Sequence, residues 1–122
     1  MHKDKVKIRK KILEEFLCNL HIISDKSYQK RIWIEAKGPE VHSFDNAVCD
    51  FFDLGEYIFD NYEGYNITEK QQKILDKFRK EFESFVDGDR SYLPEDFINT
   101  PEWERIMNLA EDVLKEFDYK KE

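Results

Sequence analysis

The stretch SFDNAVCDFFDLGEYIFD, residues 43–60, decides the fold class of this chain. Within it Phe44, Ala47, Val48, Phe51, Phe52, Leu54, Ile58 and Phe59 gather on one side at about 100° per residue, and Tyr62 follows in the same register. That is the period of an amphipathic helix, running from Phe44 to about Asn61. Ser43 suits the N-cap, and Asp45 places an acid in the first turn, where the helix dipole favours negative charge. Gly55 falls inside the apolar face. A mid-helix glycine costs about 1 kcal/mol relative to alanine, so a close helix crossing is the expected reason for it.

The pattern repeats on either side. After a polar and aromatic loop around Gly64, Thr68 with Gln71 reads as a capping box, and Ile74, Leu75, Phe78, Phe82, Phe85 and Val86 form the stripe of a further helix stopped by Asp87, Gly88 and Asp89. Leu93 to Phe97 fits one short helical turn. Thr100, Pro101 and Glu102 then make the clearest helix start in the chain. Trp103, Ile106, Met107, Ala110, Val113, Leu114 and Phe117 keep helical spacing after it, and Lys115, Lys120 and Lys121 suit its negative end. Upstream, Ile8, Ile12, Leu13, Phe16, Leu17, Leu20 and Ile23 predict a first helix from about Asp4 to about Ile23.

Ser24 to Val41 is ambiguous. Ile32, Ile34 and Ala36 alternate with Arg31, Trp33 and Glu35 as in a strand, yet Tyr28, Ile32 and Ala36 also share a helical face, and Gly38 with Pro39 ends either element. The expected architecture is therefore one all-α domain over residues 1–122. It is a compact bundle of four main helices with an irregular or short extended segment between the first and second. Its expected core includes Phe16, Leu20, Phe51, Phe52, Phe78, Phe82, Trp103, Ile106 and Leu114.

Composition agrees. Four Gly and three Pro in 122 residues is about half the usual share, which disfavours a turn-rich sandwich, and 15% aromatic residues supply large buried area despite 39% charged residues. The lysine-rich start is broken by Glu14 and Glu15 before a signal-peptide core can form, and no apolar run is long enough to span a membrane. Cys18 and Cys49 read as reduced thiols, so the expected compartment is the cytoplasm. The 15 Lys against 5 Arg suit an AT-rich, bacterial genome.

Charge is unevenly distributed. Residues 1–37 hold ten basic and five acidic residues, 38–67 none and seven, and 68–122 ten and fifteen. On the outer side of the 44–61 helix stand Asp45, Asp50, Asp53, Glu56 and Asp60, with Cys49 and Tyr57 among them. Like charges three and four residues apart destabilise a helix, and no lysine in it relieves them. Three readings follow: solvation or pairing with lysines of neighbouring helices; presentation to a basic protein surface, with Tyr57 and Trp33 as aromatic anchors; or a Ca²⁺ or Mg²⁺ site on Asp53, Glu56 and Asp60, which one helix face alone cannot complete.

Other constellations lead nowhere. Asp87, Asp89 and Ser91 begin like a calcium loop, but Tyr92 and Ile98 occupy the positions that need Gly and Glu. Cys18, His21, His42 and Cys49 match no zinc spacing, and structural cysteines are the simpler reading, with Cys49 expected on the outer side of its helix. There is no nucleophile elbow and no phosphate-binding glycine loop, so no catalytic residue, cofactor or metal is expected. The Lys3 to Lys11 patch is diluted by Asp4, Glu14 and Glu15, and a net charge of -7 repels nucleic acid.

In size, acidity and helix count the chain resembles the small all-α immunity proteins that protect bacteria from nuclease toxins. The resemblance is of class and carries no motif. It implies a non-enzymatic inhibitor that covers a basic toxin surface with an acidic helical face bearing exposed tyrosine, the character of Asp45 to Asp60 with Tyr57. The alternative is a structural or regulatory helical module, a homodimer being one form, that associates through Trp33 and the 24–41 segment.

Overall fold

The computed structural model describes residues 2–88 and 93–119. Every regular element among them is helical: α1 (His2–Ser24), α2 (Lys26–Tyr28), a π-helical turn (Gln29–Ile34), α3 (Phe44–Phe59), a 3-10 turn (Glu63–Tyr65), α4 (Glu69–Asp87), α5 (Pro94–Phe97) and α6 (Pro101–Glu116). Four helices are long and two are short. No helix among the described residues is long and apolar enough to cross a membrane.

The helix starts form where local chemistry predicts them. Ser43 Oγ accepts from Asn46 N at 3.2 Å while Asn46 Oδ1 accepts from Ser43 N at 3.0 Å, a reciprocal cap in which Asn46 does the work usually left to Glu or Gln. Thr68 and Gln71 form the second such box, and Thr100 accepts from Trp103 N with Pro101 at the first helical position. Asp89, Ser91, Tyr92, Lys120 and Lys121 lie outside the described residues.

α1 packs against both α3 and α6, and α6 packs against α4. Rings close the interior. Phe51 sits 5.3 Å from Phe16 and from Phe78 and 5.1 Å from Phe82, joining α3 to α1 and α4. A second cluster centres on fully buried Trp103, with Phe97, Phe85 and Phe44 at 4.9, 5.2 and 5.7 Å. Gly55 is buried at the α1 crossing: a Cβ there would stand 2.7 Å from the Phe59 ring and 3.3 Å from Phe16. The glycine is kept because two aromatic rings occupy the space of its missing side chain.

Three expectations are corrected. The segment after α1 is not extended: it is helical through Ile34 and then bends through Ala36, in the left-handed region at φ 54°, and Gly38 at φ 141°. The π turn is wide enough to bury both Gln29 and Ile32 while Arg31 points outward. Fully buried Gln29 holds it. Its Nε2 donates to Ile22 O and Ile23 O at 3.0 and 2.8 Å, and its Oε1 accepts from Trp103 Nε1 at 2.9 Å. Phe52 is half-buried rather than central, stacked on Phe82 at 6.1 Å. Ile8 is exposed, and along α1 the apolar side chains that pack against the core start at Ile12.

Candidate functional site

α3 turns Ala47, Phe51, Gly55 and Ile58 into the core, so the same helical period carries Asp45, Asp50, Asp53, Glu56 and Asp60 outward. All five acids are exposed. Cys49 and Tyr57 are exposed beside them, Tyr57 at 62%. None of these acids has a Lys, Arg or His nitrogen within 4 Å among the described residues. The lysines of α1 and α4 therefore do not pair with this face, which is left to solvent. α4 differs: Lys73 meets Glu69 at 3.8 Å, Arg79 meets Glu83 at 3.2 Å, and Lys70 and Glu81 reach Glu116 and Arg105 of α6 at 3.8 and 3.9 Å. Between α4 and α6 a hollow of about 490 Å³ is walled by Lys70, Lys73, Lys77 and Lys115 with Asp112 and Glu116. α3 thus carries acids without a base, whereas α4 and α6 carry both signs and pair several of them.

Asp50 and Asp53 also border a groove of about 370 Å³ between α1 and α3. From α1 it is lined by Glu15, Cys18, Asn19 and Ile22, and from α3 by Leu54. The α1 members are spaced three, four and seven residues apart and so form one strip. That spacing was the available signal for Glu15 and Asn19, two site residues that the charge count alone passes over. Asn19 ties the walls together: it is 5% exposed and its Nδ2 donates to Ala47 O at 2.9 Å.

His42 closes one end of the groove. Its Nδ1 accepts from Trp33 Nε1 at 3.0 Å, and its ring lies 6.3 Å from Trp33 and 5.9 Å from Tyr28. Burial pulls the His42 pKa below its usual value, opposed by nearby Asp50. Trp33 is accordingly placed apart from the acidic ladder. It is half-buried, 5.7 Å from Phe44 and 6.1 Å from Trp103, so of the two expected aromatic anchors Tyr57 alone is exposed. The loop beyond is clasped by Arg31, whose two terminal nitrogens meet the Glu40 carboxylate at 3.1 and 2.9 Å.

Both cysteines are free and exposed: Cys49 stands on the outer side of α3 as its register predicts, whereas Cys18 is exposed rather than a core residue. Burial, with Cys18 nearby, raises the Tyr119 pKa. Cys18, His21, His42 and Cys49 do not form a ligand set, and among the described residues no three His, Cys, Asp or Glu side chains are gathered to hold a metal ion. Among the described residues this arrangement is all-helical, with an acidic face on α3 that has no ion-pair partner and a groove at its edge. No family model matches the chain, and no curated protein or solved structure shows significant similarity to it.

Proposed function

We propose that this chain is a non-enzymatic, cytoplasmic protein-binding module that presents the outer face of α3 to a basic partner, in the manner of a bacterial immunity protein covering a nuclease toxin. The observation that supports this reading is the set of five exposed acids on one helix, none with a counter-ion among the described residues. Such a face repels itself, and a basic surface would relieve it while steering association. Tyr57 offers the aromatic contact that interface centres favour. Replacing Asp53, Glu56 and Asp60 by Asn, Gln and Asn tests it: the variant should keep its helical circular dichroism and lose a basic partner captured at low salt. If the partner is a nuclease, the wild-type protein should suppress its activity and the triple variant should not.

A second reading, association through the 24–41 segment with a homodimer as one form, has one observation in its favour. Val41, the last residue of that segment, is 99% exposed and so open to an apolar contact. Because Trp33 is packed against Trp103, its truncation would test folding; Val41→Ser is the informative change. Binding or dimerisation that survives the triple substitution and fails on Val41→Ser would replace the first reading with the second.

A further inference from the structure

We infer that residues 35–42 are a strap that a proton on His42 releases, uncovering the Trp33 ring and one end of the α1–α3 groove. The inference stands apart from the reading of α3 as a partner face. Residues 35–41 are all exposed, and among the described residues Gly38, Pro39, Val41 and His42 make no backbone hydrogen bond. The amides of Glu35 and Lys37 close the π turn on Lys30 O and Arg31 O at 3.0 and 2.8 Å. Beyond them the strap is tied by side chains. Arg31 donates to Lys37 O at 3.2 Å and to the Glu40 carboxylate, and Trp33 Nε1 donates to His42 Nδ1. The Arg31–Glu40 tie is exposed and weakened by salt, so it restrains the strap without replacing the half-buried tie at His42.

The tie at His42 is the one a proton cuts. An indole N–H can only donate, so Nδ1 of His42 has to be the bare, accepting nitrogen of a neutral ring. A proton added there sets two donors against each other. Around the ring stand Trp33 of the π turn and Tyr28 of α2, with the Arg31 guanidinium over the Tyr28 ring at 5.6 Å. Glu15 and Cys18 of α1 and Asp50 and Asp53 of α3 line the groove that His42 closes. Asp50 favours the proton, but burial outweighs it, and the positive end of the α3 dipole, which starts one residue on at the Ser43 cap, opposes it further. A ring freed into water returns to its usual pKa of about 6.5. The open strap therefore binds the proton more tightly than the closed one, and acid shifts the population toward it.

The test is ¹⁵N relaxation and ¹H–¹⁵N shifts of the full chain, recorded from about pH 7.5 down to about pH 5. The Trp33 indole reports the tie, and the Trp103 indole, bonded to Gln29, is the internal control. As the pH falls through the folded-state pKa of His42, the Trp33 indole resonance should shift and that of Trp103 should not. Over the same range the order parameters of Gly38, Glu40 and Val41 should fall from about 0.85 to below about 0.6, while those of α3 and α6 stay high. His42→Asn, whose carbonyl accepts without titrating, should hold the strap and the Trp33 indole at their high-pH values throughout. Glu40→Gln, which weakens the other tie, should deepen the loss of order at low pH. A strap that is already mobile at pH 7.5, or that stays rigid while the Trp33 indole shifts, overturns the inference. So does release of equal size in His42→Asn, which assigns it to another group, and so does a simultaneous loss of order in α3 and α6, which is unfolding rather than release.

Discussion

The 26–42 segment and the outer face of α3 treat their polar groups in opposite ways. In the segment each distinctive polar side chain is answered from within the protein: Gln29 by Ile22, Ile23 and Trp103, Arg31 by Glu40, and Trp33 by His42. On α3 the five acids are answered by nothing among the described residues. Buried donors and acceptors must be satisfied for the chain to fold, whereas exposed carboxylates are hydrated and cost little until a partner replaces the water. Substitutions in the segment should therefore report on stability, and those on the α3 face on binding.

The sharpest test of that division is Gln29→Leu. It strands Trp103 Nε1 and the Ile23 carbonyl in the core, and the expected loss is about 2–4 kcal/mol, seen as a lower urea midpoint. A variant that unfolds at the wild-type midpoint would show that the segment is not held by its buried amide. Next comes the inner side of α3. Gly55→Ala gains helix propensity but drives a methyl into the Phe59 ring, which is wedged between Phe16, at 5.9 Å, and the Arg79 guanidinium, at 4.4 Å. Overpacking should win, with a net destabilisation of about 1–2 kcal/mol by the same measurement.

A smaller effect is expected from pH. His42 has a folded-state pKa depressed by burial, so the folded protein favours the neutral ring that accepts from Trp33. Its contribution is fully present above the unfolded value of 6.5 and is lost as the pH falls through the folded pKa. The melting temperature should drop between pH 7.5 and about 5.5, and His42→Asn, which keeps an acceptor but does not titrate, should flatten that drop. The smallest effect belongs to the acidic face: Asp53→Asn, Glu56→Gln and Asp60→Asn together should leave the unfolding free energy unchanged or raise it by about a few tenths of a kcal/mol per relieved pair, read from the urea midpoint. A large loss there would mean that the acids have structural partners and that the contrast between the two regions is false.

Local chemistry made much of the fold legible. Ser43, Thr68 and the Thr100–Pro101 pair announce helix starts because each cap is completed by a residue three positions on, within a span the chain pattern displays. Gly55 announced a crossing because its cost within the helix has to be offset by packing. The acidic ladder was equally visible, since its members share one face whatever surrounds them. The groove was half visible: Asp50 and Asp53 stood in the ladder, but Glu15 and Asn19 join them only because α1 lies against α3.

From the chain alone came the helical class, the caps and the acidic stripe, all properties set by residues within about two turns of one another. The tertiary structure decided the 26–42 segment, whose apolar residues fit strand and helix equally well. Gln29 settles the matter through Trp103, 74 positions away, and no local period encodes a hydrogen bond across that distance. The same holds for Trp33, drawn inward by His42 and the Trp103 cluster, and for Ile8, left in solvent. Burial is a property of which surfaces meet, and that is fixed only when the helices pack.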